Sequence, residues 1–287
     1  MSKTVAIPGI NGAQQAAIAA AFHDAGWRVR PISRHASDTP YGPAAVANAE
    51  TGEGLAQAFT GADAIVVTLP QDHRDGAMTR LARSVAHAAD AAGAGRLVFN
   101  VAATIAEDDP RPVFSDLRAA RDAVTAAKTP SVVLQPTVFM DNLLAPWSLP
   151  GIVNDGVLAY PAPEDVAISW ISHRTLAAYA VAAASRPDAI GKAFRIGGPA
   201  PLTGRDLVTT LSGRIGKPVA YAQIPLDGFA AGLNAAFGAP AGDRIATLYR
   251  RLEIDPHGLS VDGSSQAALG VTPESFADFA ARQAWRL

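Results

Sequence analysis

The first half of the chain alternates short apolar runs with alanine-rich segments of helical periodicity. The apolar runs predict buried strands at 5–7, 29–32, 64–69, 96–101 and 131–134. The segments between them predict helices at 14–25, 54–59, 78–92 and 116–127. Strands that are apolar on both faces and alternate with helices are typical of a parallel sheet covered by helices on both sides. We therefore predict an α/β fold with a doubly wound parallel sheet.

The pattern becomes irregular after Pro136. Proline and glycine are frequent from 146 to 163, and a predicted helix at 174–185 and strand at 193–196 follow. We therefore divide the chain into a domain over 1–145 and a smaller, irregular portion over 146–287, with 193–198 returning to the sheet. Ligands of open α/β sheets bind at the carboxyl ends of the strands, so we expect the smaller portion to cover that crevice.

Composition excludes several classes of protein. Of the 287 residues, 49% are hydrophobic and 17% are charged, which predicts a folded core and not a disordered chain. A net charge of −2 without blocks of like charge disfavours nucleic-acid binding. The absence of cysteine excludes disulfides and thiolate sites, and no histidine or carboxylate cluster suggests a metal. No signal peptide or membrane-spanning run is recognisable, so we expect a cytoplasmic protein that does not bind membranes.

The turn after the first predicted strand contains the strongest local motif, Gly9-Ile10-Asn11-Gly12-Ala13-Gln14-Gln15. Glycine permits a tight turn and lets backbone N–H groups reach a pyrophosphate, and the N-terminus of the following helix adds partial positive charge. The motif predicts a dinucleotide-binding turn. An ordinary strand-to-helix turn also favours glycine and asparagine, and this alternative stays open.

The end of the second predicted strand indicates which dinucleotide is preferred. An NAD site usually has a carboxylate there, roughly 20 residues beyond the glycines, to hold the ribose hydroxyls. This chain has no carboxylate over 28–34 and ends the segment with Ser33 and Arg34. A guanidinium pairs well with phosphate oxygens, so Arg34 favours NADP over NAD. The alternative is a solvated arginine after a strand.

Several segments together resemble the NmrA-like family of atypical short-chain dehydrogenase/reductases, which are NAD(P)-binding Rossmann proteins. The turn at 9–14 is similar to the family's G-x-x-G-x-Q, 29–34 to V-R-x-x-x-R, and 61–65 to G-x-D-x-V. The segment 135–142 is similar to R-P-x-x-F-M-x-N, with Gln135 in place of the usual arginine. Further similarity lies at 167–177 and 191–203, so the resemblance covers most of the chain.

The resemblance implies an NADP-binding Rossmann domain over 1–145 and a substrate-binding portion over 146–287. It places Asn48 near the adenine, 68–70 along the cofactor, and 100–102 beside the nicotinamide. The implied cofactor-binding residues are Gly9, Asn11, Gly12, Gln14, Arg34, Asn48, Thr68, Leu69, Pro70, Asn100, Val101 and Ala102.

Two departures from the family affect the implied chemistry. Gln15 stands where the family usually has a third glycine, so its side chain is expected either to push the helix outward or to point its amide at the phosphates. The chain also lacks Tyr-x-x-x-Lys. The family often keeps a lysine on the helix that here follows the strand at 96–101, and in this chain that place holds Leu117 or Arg118.

Two residues are candidates for catalysis. His73 follows the strand at 64–69, titrates near neutral pH and can donate a proton, although its charged neighbours are also typical of an exposed loop. Arg118 is suited to holding the nicotinamide ribose or stabilising negative charge, but it cannot act as a general acid. The alternative for Arg118 is a solvated position on a helix.

Aromatic residues in the second half predict an apolar pocket for a flat hydrophobic substrate. The alternative is that they simply pack this portion together. The residues predicted to form the pocket are Phe139, Asn142, Trp147, Tyr160 and Trp170.

Together these features predict an NADPH-dependent oxidoreductase that transfers hydride to a small apolar carbonyl, enone or quinone-like acceptor. A quinone takes its proton from water, so the missing lysine matters less for that substrate. Two other functions remain open: a non-catalytic NADP-binding redox sensor, which the missing lysine favours, and a cofactor-assisted isomerase or epimerase. The sequence leaves the oligomeric state open.

Overall fold

A computed structural model describes residues 2–70 and 74–286 of the chain. Its strands are β1 (Thr4–Pro8), β2 (Arg28–Ser33), β3 (Asp38–Thr39), β4 (Gly42–Pro43), β5 (Ala45–Val46), β6 (Ala64–Thr68), β7 (Leu97–Asn100), β8 (Ser131–Pro136), β9 (Val157–Tyr160), β10 (Ala193–Ile196) and β11 (Ala220–Gln223).

The helices follow the strands in alternation through the first half of the chain. They are α1 (Ala13–Asp24), α2 (Leu55–Phe59), α3 (Ala77–Ala92), α4 (Pro112–Thr125), α5 (His173–Ser185), α6 (Gly204–Ile215), α7 (Leu226–Phe237), α8 (Ala241–Arg250), α9 (Ser264–Leu269) and α10 (Phe276–Arg282). In the described ranges, no helix combines the length and the apolar character needed to cross a bilayer.

Seven parallel strands form the central sheet in the order β10-β8-β7-β6-β1-β2-β5. The chain builds outward from β1 through β2 to β5, then returns to the other side of β1 and builds outward again from β6. Strand β1 therefore pairs with both β2 and β6, and the direction of winding reverses beside it. This order is that of a Rossmann fold and confirms the predicted doubly wound α/β sheet.

The central strands are buried because helices cover the sheet. Val5, Ile65 and Val98, from three neighbouring strands, have no exposed surface. Helix α1 packs on α5, and α3 packs on α4. Strands buried on both faces explain the continuous apolar runs in the sequence, since a half-exposed strand would alternate.

The chain divides into two compact units. The first comprises 1–136, 173–196 and 264–271, and the second comprises 137–172, 197–263 and 272–287. The sequence-based boundary at residue 145 thus falls inside the second unit. Strand β10 belongs to the first unit and pairs in parallel with β8.

The second unit is built around a small parallel pair, β9 and β11. Its core includes Leu143, Ile152, Leu158, Leu211 and Phe279, none of which has exposed surface. Helix α6 begins with a capping box, in which the Thr203 hydroxyl accepts from the Asp206 N–H and the Asp206 carboxylate accepts from the Thr203 N–H. This reciprocal bonding fixes where α6 begins.

A close backbone contact joins α7 and α8 within the second unit. A Cβ atom added to Gly242 would lie 1.9 Å from the carbonyl oxygen of Ala230 and 2.9 Å from the nitrogen of Asn234. A Cβ added to Gly213 on α6 would have no atom within 4 Å. Of these two helical glycines, only Gly242 lies where a larger side chain would clash with the neighbouring helix.

We expect Gly242→Ala to lower the free energy of unfolding by about 1–3 kcal/mol, because the helices must separate to admit the methyl group. The control Gly213→Ala should raise it by about 0.5–1 kcal/mol, because alanine favours a helix interior over glycine. Urea denaturation of both variants beside the wild type measures the difference. Equal shifts in the two variants would contradict the close contact.

Candidate functional site

The turn that joins β1 to α1 lies where the strand order reverses. The N–H groups of Gly9 and Ile10 both donate to the carbonyl oxygen of Ile32, at 3.0 and 3.2 Å, which ties the turn to the end of β2. The Gly12 N–H donates to the Gly9 carbonyl at 2.8 Å. Gly9 has a φ of +72°, a left-handed conformation that glycine adopts without a steric penalty.

Helix α1 begins directly after this turn without a side-chain cap. Gly12 occupies the N-cap position in an extended conformation, and the first turn contains no acidic residue. A Cβ on Gly12 would lie 3.3 Å from the Gly9 carbonyl oxygen. No N-cap side chain bonds to the N–H groups of the first turn and no acidic residue of that turn offsets their partial positive charge, so an anion can bind there.

Gln15 lies under the start of α1 and is only 4% exposed. Its amide nitrogen donates to the carbonyl oxygens of Pro8 and Val66, at 2.8 and 2.9 Å. Its amide oxygen accepts from the Thr68 hydroxyl at 2.7 Å. The structure thus corrects the expectation that the Gln15 amide points at the phosphates. The amide bonds to carbonyl groups of β1 and β6 just beyond Ala6 and Ile65, where the pairing of these two strands stops and the carbonyl groups need other donors.

The hydrogen bonds around Gln15 continue to β7. The fully buried Asn100 donates to the Gln14 amide oxygen at 2.8 Å and to the Thr68 hydroxyl at 3.2 Å. Its own amide oxygen accepts from the Ala102 N–H at 3.0 Å. The side chains of Gln14, Gln15, Thr68 and Asn100 therefore form one network across three neighbouring strand ends. The sequence placed Gln14, Thr68 and Asn100 on the cofactor but did not predict that they form a network that includes Gln15.

Ala102 has a φ of +57°, and it is the single non-glycine position with positive φ in the described part of the chain. Alanine in this region is strained, and such strain concentrates at functional sites. The conformation is held by Asn100 and by the preceding Val101 N–H, which donates to Leu134 at 3.0 Å. The end of β7 is thus a fixed, strained corner.

At the end of β2, Ser33 and Arg34 have different surroundings. The Ser33 hydroxyl donates to the carbonyl oxygen of His35 at 2.7 Å and accepts from its N–H at 3.2 Å. The Ser33 hydroxyl is thus bonded to the backbone of His35. Arg34 is exposed, and no described residue binds its guanidinium.

The remaining residues predicted to bind cofactor lie at the same edge of the sheet. Asn48 follows β5, and its amide oxygen accepts from the N–H groups of Glu50 and Thr51, at 2.9 and 3.4 Å. Leu69 is buried and donates its N–H to the Asn100 carbonyl at 2.7 Å, and Pro70 is exposed. Glu50 also pairs with Arg74 at 2.6 Å, which joins the loops after β5 and β6.

The two candidates for catalysis have different outcomes. His73 lies outside the described residues. Arg118 is on α4, where its guanidinium donates to the Ala106 carbonyl and, at 3.0 Å, to the Ser115 hydroxyl. Leu117 is fully buried. Arg118 thus fastens the loop between β7 and α4 and is not simply solvated.

The five residues predicted to form the pocket all belong to the second unit. Tyr160 and Trp170 are 5% and 2% exposed and belong to the core of that unit, and Phe139 is 7% exposed. Trp147 is 59% exposed and meets the ring of Phe237 edge-on at 5.8 Å.

A hydroxyl pair that the sequence did not indicate joins β9 to α8. The Tyr160 and Tyr249 hydroxyls lie 2.6 Å apart, and the Asn142 side chain bonds to Tyr160. Burial, followed by the neighbouring Tyr249, raises the pKa of Tyr160 well above its ordinary value. Burial also raises the pKa of Tyr249 to about 12. Both hydroxyls therefore stay protonated at neutral pH.

Metal chemistry has no support in 2–70 and 74–286, where no three histidine or carboxylate side chains are grouped to hold an ion.

We expect Gln15→Ala to lower the free energy of unfolding by about 1–3 kcal/mol, because it leaves buried carbonyl groups of β1 and β6 without a donor. Gln57→Ala, on the exposed side of α2, is the matched control and should change stability by less than about 0.5 kcal/mol. Denaturant titration of both variants measures the effect. A Gln15→Ala variant as stable as the control would show that the amide bonds contribute nothing.

Comparison with known proteins places these features in a family. The profile of the NmrA-like family matches residues 1–258. The (4-alkanoyl-5-oxo-2,5-dihydrofuran-3-yl)methyl phosphate reductase of Streptomyces griseus subsp. griseus is 28% identical over 236 residues, 80% of this chain and 79% of that protein. The NAD(P)H azoreductase of Xenophilus azovorans is 31% identical over 140 residues, 49% of this chain and 48% of that protein.

Among solved structures, an NADPH-dependent quinone oxidoreductase of Escherichia coli, complexed with NADPH, has a similar fold. It superposes with a TM-score of 0.77 at 20% identity and covers 96% of this chain and 98% of its own. The match of the family profile over most of the chain, together with the sheet order, leads to one conclusion: the chain belongs to the NmrA-like family.

Proposed function

We propose that this protein is an NADPH-dependent oxidoreductase that transfers hydride to a small apolar carbonyl, enone or quinone-like acceptor. The observation that carries the proposal is the glycine turn and uncapped start of α1 at the point where the strand order reverses. Ligands of open α/β sheets bind at that point. The names of two similar proteins, an NAD(P)H azoreductase and an NADPH-dependent quinone oxidoreductase, support a reductase over a sensor.

The residues of the turn fit a dinucleotide diphosphate. A Cβ on Gly9 would meet no atom within 4 Å, so the backbone there is open to a ligand. Gly12 and the first-turn N–H groups of α1 would hold the pyrophosphate, with Asn11 and Gln14 beside them. Arg34 would bind the 2′-phosphate, since no described residue occupies its guanidinium.

The ends of β5, β6 and β7 would hold the rest of the cofactor. Asn48 would lie by the adenine, and Thr68, Leu69 and Pro70 would line the middle of the cofactor. The bound nicotinamide supplies the hydride, and the protein supplies position and exclusion of water. Asn100, Val101 and Ala102 would set the position of the nicotinamide, because hydrogen bonds from buried neighbours hold this corner.

The hydrogen bonds of Arg118 on α4 favour an acceptor whose reduction needs no proton donor from the protein. An arginine side chain does not act as a general acid. The Arg118 guanidinium also already donates to the Ala106 carbonyl and the Ser115 hydroxyl. A quinone-like acceptor takes its proton from water, so it suits a site without the family's lysine. His73 stays a candidate proton donor for simple carbonyl substrates. Phe139, Asn142, Trp147, Tyr160 and Trp170 stay the proposed source of an apolar substrate surface.

We expect Arg34→Ala to weaken NADPH binding by about tenfold to a hundredfold, the equivalent of the roughly 1.5–3 kcal/mol that hydrogen bonds to a charged group contribute. NADH lacks the 2′-phosphate, so its affinity should change little. Fluorescence titration with each nucleotide gives both dissociation constants. Equal losses for the two nucleotides would remove Arg34 from the 2′-phosphate site.

We expect the purified protein to consume NADPH in the presence of 1,4-naphthoquinone, followed as loss of absorbance at the wavelength of reduced nicotinamide. Gly12→Val should abolish the reaction, because its side chain would crowd Gly9 and block the approach of the pyrophosphate. Gly213→Ala is the control and should keep full activity. Tight NADPH binding without turnover of naphthoquinone, simple ketones or enones would instead favour the sensor.

A further inference from the structure

The loop between β7 and α4, residues 101–111, is held by the end of β8. The Thr104 hydroxyl donates to the carbonyl oxygen of Pro136 at 3.1 Å. The Ile105 N–H donates to the side-chain amide oxygen of Gln135 at 3.3 Å. Two adjacent residues of the strand thus hold two adjacent residues of the loop, beside the strained Ala102.

The bond from Ile105 fixes which way the Gln135 amide faces. Its oxygen must point to the loop, because only the oxygen accepts a hydrogen bond from an N–H group. The amide nitrogen then points elsewhere, and no described residue accepts from it. Gln135 is only 5% exposed. A nearly buried amide with two unused donors is costly unless a ligand accepts from it.

The strand register places this donor near the proposed nicotinamide corner. Asn100 of β7 pairs with Leu134 of β8, and Gln135 follows by one residue. On the other strand the next residues are Val101 and Ala102, and Val101 still bonds to Leu134. Neighbouring strands lie about 5 Å apart, so Gln135 and Val101 are side by side at the carboxyl edge of the sheet.

Glutamine differs chemically from the arginine that is usual here in the family motif. A guanidinium has donors only, so it cannot accept the hydrogen bond from Ile105. Glutamine satisfies the loop with its oxygen and still offers N–H donors with its nitrogen. Fixed amide donors of this kind stabilise negative charge that develops on a carbonyl oxygen during reaction.

We propose that Gln135 is a catalytic residue whose side-chain nitrogen donates a hydrogen bond to the carbonyl oxygen of the acceptor. The proposal rests on the proposed function, since it assigns the electrostatic partner that a reductase of this kind needs. NADPH gives a hydride, two electrons and one hydrogen nucleus, to the acceptor and becomes NADP⁺. The acceptor oxygen takes up negative charge, which Gln135 stabilises without losing a proton, and water supplies the proton that completes the product.

Gln135→Glu separates the two functions of the amide. A carboxylate still accepts from Ile105, but it has no donor for the acceptor. With 1,4-naphthoquinone at pH 8, kcat should fall about 10²-fold, the usual effect of losing one oxyanion donor. The dissociation constant of NADPH should stay near that of the wild type, and the melting temperature should fall because a carboxylate replaces a nearly buried neutral amide. The loss should shrink as the pH falls, because the protonated carboxyl regains an O–H donor.

A binding measurement checks the same contact without turnover. Naphthoquinone is titrated by tryptophan fluorescence into enzyme saturated with NADP⁺, where no hydride is available. The variant should bind it about tenfold more weakly, the value for loss of one hydrogen bond of roughly 1.4 kcal/mol. Gln135→Met is the second variant, in case the buried carboxylate prevents folding. It removes donor and acceptor together and should show the same fall in kcat with a lower melting temperature.

Thr104→Val is the matched control. It removes the neighbouring loop bond to Pro136 and leaves the Gln135 amide in place, so kcat and naphthoquinone binding should be unchanged. Wild-type kcat in both Gln135 variants would overturn the proposal. An equal loss in Thr104→Val would also overturn it, since loop fastening alone would then explain the effect. If the wild type itself reduces no acceptor, the proposed function fails and this inference fails with it.

Discussion

The side-chain amide of Gln15 joins the two strands between which the sheet reverses its winding. Gln15 donates to the carbonyl oxygens of Pro8, the last residue of β1, and Val66, in the middle of β6. The pairing of β1 with β6 stops at Ala6 and Ile65, so both residues lie beyond the last paired residues of these two strands. An internal donor satisfies their carbonyl groups and leaves the outer surface of the turn open. The turn, the start of α1 and the end of β6 are therefore held as one unit.

The same network extends to the end of β7, where we propose that the nicotinamide binds. Thr68 and Asn100 connect Gln15 to the end of β7, and Asn100 in turn holds the strained Ala102. A strained residue persists only where its neighbours over-determine it. The sequence predicted that Gln14, Thr68 and Asn100 bind the cofactor. In the structure their side chains also form hydrogen bonds within the protein that hold the ends of the strands.

Three arginines of the first unit differ in whether their guanidinium groups already bind other residues of the protein. Arg118 and Arg121 on α4 bind the loop after β7, so their charge contributes to loop structure. Arg34 has no partner among the described residues and remains available to a phosphate. The unbound guanidinium of Arg34 supports our proposal of a 2′-phosphate site at the end of β2. Arg118 on α4, by contrast, is bonded to the loop after β7.

The sequence by itself determined the sheet and the turn. Apolar runs of strand length, helical periodicity between them, and glycines after the first run depend on local chemistry, and each of them predicted its element. Gln15, Gln135 and Arg118 could not be interpreted in the same way. A glutamine amide or a guanidinium bonds to whatever carbonyl or N–H group the fold leaves unpaired nearby. Those groups come from residues 7 and 51 positions away for Gln15 and 30 positions away for Gln135. Only the tertiary structure decides which strand ends meet, and therefore which of these side chains face inward as supports and which stay available to a ligand.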